Sequence, residues 1–420
     1  MRVPLPLLSA CTIISIFFSI RVTAQIQKLY LSPNAALGAN QSKFIDSIKF
    51  IPLETKEEPI KSWNNVIVTN SYFIVLEYVT MDGVLYFFDK NGKFIKRISL
   101  KKYGQRASPS YDNKNEELRI VTFNKNYSLI TKDILDIRAH YTSPANRKYY
   151  KAFVIDLKDA SLQIQPANVT PYDILDVQRL NDDNFYQSNI TSNKDYKDSS
   201  GYELNILRGN TTVKSFFPYN RKNDVRYKFG EERVAVFPTD TSYIHYIARP
   251  YDYKIYKLDK DSLYPVYELV VPIENGLPQS FYTKDFKNRT EKDNYNENNA
   301  SYIKQIYRFF DMKRFLWLQF RYLYYKWEGY IYDKEERKFY RTDKIKGDST
   351  QYNLQLVGGN RNVTSGTNNR FYTTKKAAEL LSFYNANKGK NIKYPAALAS
   401  FFKTGTDNSN PVIVEFTFKK

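Results

Sequence analysis

The strongest pattern of apolar and polar positions along this chain is one that returns. An apolar strand runs into a polar turn, and a second strand leaves it. The copies read Leu85-Tyr-Phe-Phe-Asp-Lys-Asn-Gly-Lys-Phe94, Phe153-Val-Ile-Asp-Leu-Lys-Asp-Ala-Ser-Leu162, Leu204-Asn-Ile-Leu-Arg-Gly-Asn-Thr-Thr-Val213, Ile255-Tyr-Lys-Leu-Asp-Lys-Asp-Ser-Leu-Tyr264 and Tyr330-Ile-Tyr-Asp-Lys-Glu-Glu-Arg-Lys-Phe339. Asp, Asn and Gly at the turns are residues that β-hairpins use. Recurrence at intervals of roughly 50 to 75 residues predicts a blade repeated around a β-propeller.

Phe44 to Leu53 alternates and reads as a strand ending near Pro52. A full blade follows, with strands over 66–69, 72–77, 84–89 and 94–99. Its Lys90-Asn91-Gly92-Lys93 turn is the clearest hairpin signal in the chain. Further blades are expected over residues 118–164, 174–218, 234–271 and 303–342, the last being the most aromatic. Residues 275–301, dense in Asn, Asp, Lys and Glu, read as a long surface excursion. Short strands are expected over 354–357 and 370–374. Residues 375–387 make the one convincing helix, with Ala377, Leu380, Leu381 and Tyr384 on one face. A shorter helix starts at Pro395 and stops before Gly405. Residues 411–418 form a closing strand.

These elements make five blades and parts of a sixth. A ring of sheets must close or leave an edge, and the natural closure pairs the Phe44–Leu53 strand with the C-terminal strands in one composite blade. The expected fold is therefore all-β: a six-bladed β-propeller over residues 44–420, with a composite closing blade and a short helical insertion near the C-terminus. Residues 25–43 precede it as a flexible leader.

Composition agrees with that class. In 420 residues Tyr (37) and Phe (28) are abundant while Met (3) and Cys (1) are scarce, an enrichment that favours strands. Residues 1–24 read as a signal peptide, with Arg2, an apolar stretch from Leu5 to Ile20 and a small-residue cleavage site at Val22-Thr23-Ala24. The overlapping Leu8-Ser9-Ala10-Cys11 spells a lipobox that would acylate Cys11. Its apolar stretch is short and continues past the cysteine, so cleavage after Ala24 is the preferred reading. No other segment could cross a bilayer. Cleavage would leave no cysteine, and so no disulfide, thiol nucleophile or thiolate metal site. The chain is then exported, to the periplasm, the cell surface or beyond.

The net charge of +19 falls by two on loss of Arg2 and Arg21. Such a balance attracts anions. Export separates the chain from nucleic acid, so acidic polysaccharides or acidic envelope proteins are the expected partners. A lysine-rich surface also keeps a tyrosine-rich β protein soluble and discourages edge pairing.

Three segments carry a resemblance to a family. They are Phe50-Ile-Pro-Leu-Glu-Thr55, the strand-and-turn Tyr86-Phe-Phe-Asp-Lys-Asn-Gly-Lys-Phe-Ile95, and Asn410-Pro-Val-Ile-Val414. In this order the chain resembles the exported six-bladed β-propellers of Bacteroidota, which are similar in style to NHL-repeat propellers. The resemblance implies a propeller outside the cytoplasm and no particular activity. Such proteins commonly follow the first blade with a glycine-rich turn. Here only Gly104-Gln105 matches, and Arg106-Ala-Ser-Pro-Ser110 departs from it.

Candidate chemistry is sparse. His140 and His245 fall in different blades with no zinc-binding spacing. No nucleophile elbow, phosphate loop or calcium loop is present, Gly358-Gly359 lacking the lysine and helix that a phosphate site needs. Asp89, Asp156, Asp259 and Asp333 sit where strands meet turns, and Asp182-Asp183 lies in a turn; there Asp caps its own backbone. No catalytic residue, metal site or cofactor is assigned. The segment 308–327 mixes arginines and lysines with aromatic rings, a combination common at binding hot spots. Arg314, Trp317, Arg321 and Trp327, with Arg106 and His245, are the candidate ligand-binding residues. The preferred function is a non-enzymatic, monomeric binding propeller for an envelope protein or acidic glycan. The alternative is a hydrolase or lyase of carbohydrates with its site in the central channel.

Overall fold

The computed structural model describes residues 26–56, 58–79, 82–124, 148–169, 177–179, 184–188, 200–208, 211–220, 224–229, 233–239, 244–357, 364–365 and 369–420. Strands β1 (Gln27–Tyr30) and β2 (Leu37–Asn40) precede β3 (Ile45–Pro52). The first blade is β4 (Trp63–Val68), β5 (Tyr72–Val79), β6 (Asp82–Asp89) and β7 (Phe94–Ser99). The second is β8 (Gln105–Asp112), β9 (Glu117–Phe123), β10 (Tyr150–Asp156) and β11 (Gln165–Ala167). The third is β12 (Val177–Arg179), β13 (Asn184–Ser188), β14 (Ser200–Arg208) and β15 (Thr211–Asn220). The fourth is β16 (Ala235–Pro238), β17 (Ile244–Ala248), β18 (Lys254–Asp259) and β19 (Ser262–Val270). Helices α1 (Gln279–Thr283) and α2 (Arg289–Asn298) lead to the fifth blade, β20 (Ile303–Asp311), β21 (Phe315–Tyr322), β22 (Trp327–Asp333) and β23 (Lys338–Lys346). Last come β24 (Thr364–Ser365), β25 (Arg370–Lys375), α3 (Ala377–Ala386), α4 (Ala396–Thr404) and β26 (Val412–Phe418).

Six sheets result, one per blade. The sixth runs β24-β25-β26-β3, so the N-terminal strand completes it as expected, with Val414 opposite Phe50 and Phe416 opposite Ile48. The recurring sequence motif is the hairpin between the third and fourth strands of blades one to five. In the sixth blade those two strands come from opposite ends of the chain. They share no turn, which is why the sequence holds no sixth copy. Asp89 Oδ1 accepts from the amides of Asn91 (2.8 Å) and Lys93 (2.9 Å), Asp156 Oδ1 from Lys158 (2.9 Å), and Asp333 Oδ1 from Glu335 (3.0 Å). These carboxylates cap turns. Asp182-Asp183 lies outside the described residues.

The core lies between blades. Leu76, Leu85, Phe87, Leu118, Ile120 and Ile155 fill the first junction. At the fifth, Phe315, Trp317 and Ile331 meet Phe371, Phe416 and Phe418. A strand packed by neighbours on both faces buries every residue, as β21 does from Phe315 to Phe320. Fully burying one such side chain contributes about 1.5–3 kcal/mol. The helical insertion of the closing blade packs where the sequence placed it: Leu380, Leu398 and Phe402 lie on Phe50, Val412 and Val414.

Four expectations need correction. Residues 25–43 are not a flexible leader throughout. β1 pairs in parallel with β19, and β2 with β23, adding a fifth strand to blades four and five. Leu29, Leu31 and Ala36 are buried there. Strands of four residues whose partners lie some 240 to 300 positions away leave no local pattern to read. Second, blade two begins at Gln105, not Leu118. Third, residues 354–357 are a buried loop held by a side chain. Gln41 Nε2 donates to Gln351 Oε1 (2.6 Å) and the Leu354 carbonyl (3.0 Å), while its Oε1 accepts from the amides of Leu356 (2.6 Å) and Val357 (3.0 Å). Fourth, the excursion at 275–301 holds α1 and α2. Asn288 caps α2 through the Glu291 amide (2.9 Å), and Glu291 accepts from the Lys287 amide one residue before the cap (2.9 Å), a variant of the capping box whose Asn-x-x-Glu spacing the sequence displays.

Candidate binding face

Strand order divides the propeller into two unlike ends. Within blades one to five the first and second strands, and the third and fourth, join at one end, mostly through short turns. The opposite end carries the connections between second and third strands and from blade to blade. The long connections 271–302 and 376–411 open there, and they hold all four α-helices among the described residues.

Several exposed large apolar side chains lie at this loop end, while Ile95 and Val213 sit beside the short turns. Tyr78 closes β5, Tyr202 lies near the start of β14, Ile273 follows β19, and Tyr324 and Tyr325 join β21 to β22. Ile273 is 92% exposed and Tyr325 87%, so neither contributes to the core. The Tyr324 and Tyr325 rings meet edge to face at 4.7 Å, and Tyr325 holds a left-handed backbone with φ of 36°. Tyrosine offers area, rigidity and a hydroxyl together, which is why it dominates binding surfaces.

Beside them lies a buried ionic cluster drawn from blades three and four. Glu203 receives Arg249 on both oxygens, Nε at 2.8 Å and Nη2 at 2.7 Å. Arg249 Nη1 donates to Asp252 (3.0 Å), which also accepts from the Tyr256 hydroxyl (2.9 Å). Arg226 binds Asp224 through Nε (2.9 Å) and approaches Glu203 at 4.0 Å. The Arg249 guanidinium lies 4.3 Å from the Phe217 ring centroid. Burial opposes the charge on Arg249, yet Glu203 and Asp252 hold its pKa raised. Burial, helped by Asp252, pushes the Tyr256 phenol up to about 12.

A cap covers this cluster. Val225, Tyr251, Phe281, Phe286 and Leu323 form a small apolar core that joins α1 and α2 to three loops. Lys292 of α2 is buried and donates to the carbonyls of Val225 (3.3 Å), Arg226 (3.1 Å) and Lys228 (2.7 Å). Glu203, Asp224 and Asp252 are each answered by an arginine, and Glu328 by the hydroxyls of Tyr322 and Tyr330 (2.5 Å each). Carboxylates engaged in this way position loops. No sequence signal marks these residues, because charges on separate blades share no spacing.

The candidates from the sequence separate. Trp317 is core, its ring 5.6 Å from Phe310 and 5.5 Å from Phe418, which removes it from any ligand surface. Arg314 lies at the short-turn end, bound to Asp333 (2.8 Å) and Glu335 (3.2 Å), far along β21 from Arg321. His245 is buried on β17, where burial pushes its pKa down to about 4 and keeps it neutral. Arg106 is exposed on β8 with φ of 50°, in another blade. Only Arg321 and Trp327 come together. They are cross-strand partners, the guanidinium 5.6 Å from the indole, and the exposed Tyr307 meets that indole at 4.4 Å. His140, Gly358-Gly359 and residues 1–24 lie outside the described residues.

Comparison with known proteins supports the fold. Residues 31–143 match a family described as 6-bladed beta-propeller. Among solved structures, a candidate exported protein of Bacteroides fragilis aligns at 14% identity and a TM-score of 0.56, covering 94% of this chain and all of that one. A Bacteroides vulgatus member of the duf4221 family aligns at 10% identity and a TM-score of 0.41, over 89% of this chain and 97% of its own. An acylaminoacyl peptidase of Pyrococcus horikoshii aligns at 10% identity and a TM-score of 0.32, over 76% of this chain and 44% of its own. No curated protein matches. The chain is a six-bladed β-propeller similar in fold to the candidate exported protein of Bacteroides fragilis. Among the described residues no helix is long and apolar enough to cross a membrane.

Proposed function

We propose that this chain is an exported, non-enzymatic binding propeller whose loop end engages an acidic polysaccharide or an acidic envelope protein. The observation that carries the reading is the gathering of exposed tyrosines at the end of the ring where the long connections open. The strong positive charge supports an acidic partner and would speed encounter with it. A carbohydrate-cleaving reading asks for two carboxyl groups facing one pocket. The loop-end carboxylates described above are instead each bound to an arginine or a tyrosine.

The test is binding of the purified protein to acidic and neutral envelope polysaccharides at low and high salt, with reducing ends assayed in parallel. Saturable binding to the acidic polymer, weakened by salt and without new reducing ends, supports the proposal. Release of reducing ends would replace it with the enzyme reading. Binding indifferent to salt would remove the electrostatic contribution.

A further inference from the structure

Arg308, Gln319 and Trp327 share one face of the fifth sheet with Arg321. Residues 317, 319 and 321 alternate onto the same side of β21. Trp317 looks into the junction with the sixth blade, so Gln319 and Arg321 lie on that side also. In register, Arg321 stands opposite Trp327, Gln319 opposite Gly329, and Arg308 of β20 opposite Gln319. Gly329 places no side chain beside Gln319.

Two observations on this face point to a ligand. Arg321 is half-buried and stacked on Trp327, yet no carboxylate among the described residues pairs with it. Arg226, Arg249, Arg289, Arg314, Arg341 and Arg370 all have such partners. A guanidinium held still by stacking is prepared to take a carboxylate with two parallel hydrogen bonds. Independently, Gln319 is 9% exposed and its buried Oε1 accepts no hydrogen bond. A buried acceptor left unmatched costs about 1–3 kcal/mol, so it asks for a donor from outside the fold. Arg308 adds a second cation, whose pKa burial pushes down.

We propose that Arg321, Gln319 and Trp327, with Tyr307, form a subsite for one uronic acid residue of an acidic glycan, an inference that rests on the binding function above. The Arg321 guanidinium receives the carboxylate. Gln319 Oε1 accepts a hydrogen from a ring hydroxyl. The exposed Tyr307 ring, set at 71° to the indole, lies against the apolar face of the sugar. An aspartate or glutamate of a partner protein would satisfy the arginine but offers only a backbone N–H, already spoken for in a folded partner, to Gln319. A uronate carries free hydroxyls on the same ring and can satisfy both.

Titration of the full-length protein with trigalacturonic acid, followed by tryptophan fluorescence and calorimetry, tests this. Maltotriose serves as the neutral control and inorganic phosphate as the simple anion. The expected result is binding of the acidic trimer alone, weakened at least tenfold by Arg321→Gln and by Gln319→Leu, with Arg321→Lys intermediate. Arg321→Lys keeps the charge and the stem, so it remains informative if Arg321→Gln folds poorly. Equal binding of maltotriose, competition by phosphate at equal concentration, or trimer affinity within twofold in Arg321→Gln and Arg321→Lys would overturn the proposal. Absence of trimer binding to the unmodified protein overturns it too. Retained salt-sensitive binding of a polysaccharide would then leave the general binding function standing.

Discussion

Replacing Gln41 by alanine should unfasten the ring at its closing blade. Gln41 is fully buried and stands four residues before β3, the strand that closes the sixth sheet. Its amide makes four hydrogen bonds to residues 351, 354, 356 and 357, about 310 positions away in the chain. Gln351 in turn donates to the Ile45 carbonyl at 3.0 Å, so the clasp holds both the loop and the start of β3. Truncation removes all four of these bonds, to the amides of Leu356 and Val357, the Leu354 carbonyl and the Gln351 oxygen. At roughly 1 kcal/mol or more for each buried unmatched group, the loss is about 3–5 kcal/mol. With an unfolding entropy near 2.1 cal/mol/K per residue over some 400 residues, about 3 kcal/mol lowers Tm by about 4 °C. The assay is urea and thermal unfolding with amide exchange at Leu356 and Val357. Both amides should exchange faster in the variant, because the opening that exposes them becomes easier. A stability within about 0.5 kcal/mol of the parent, with both amides still protected, would refute the reasoning.

Other consequences are open to direct measurement. Glu203→Gln breaks the buried pair with Arg249 and should cost about 3–5 kcal/mol, with little dependence on salt because the pair is shielded from it; strong salt dependence of the loss in unfolding experiments would show the pair to be exposed. Burial pushes Lys90 down to about 8 from its ordinary 10.5, with its Nζ 4.1 Å from the Phe73 centroid and 2.9 Å from the Thr69 carbonyl. Between those two pH values the unfolded chain holds the proton and the folded chain does not, so this residue makes stability rise with pH from about 8 to 10.5. Unfolding free energies of the parent minus those of Lys90→Met should therefore climb across that window, and a flat difference would count against it. Replacing Tyr324 and Tyr325 together by serine should leave Tm nearly unchanged, since both are exposed, while reducing polysaccharide capture at the loop end; undiminished capture would move the contact surface elsewhere.

Much of the fold was legible because it rests on local patterns. The five hairpins carry their own turn residues, and Asp89, Asp156 and Asp333 cap those turns from within the motif. Each copy could be read without knowing its neighbours. The composite closure followed from counting: five copies, spare strands at both ends, and the need for a ring to have no edge. α3 and α4 showed their apolar faces and stops. α2 was missed although its capping box stood in the sequence, because the dense polar composition around it masked a helix with few buried side chains.

The candidate site was far less legible. Arg321 and Trp327 were found together because a hairpin makes them neighbours. Trp317 lies on their face but deeper along the strand, buried among the rings of the next blade, and Arg314 lies at the other end of the same strand. Strand periodicity tells which residues share a face, not which face meets another sheet.

By itself, then, the sequence determined the hairpins, the number of blades and their closure, because each depends on residues close together or on simple topology. Only the tertiary structure decided that β1 and β2 extend blades four and five, that Gln41 fastens a loop near position 354, and that Glu203, Arg226 and Arg249 share one network. Those arrangements join residues from distant blades. A ring brings them together through packing between sheets, and packing leaves no spacing in the chain for a reader to find.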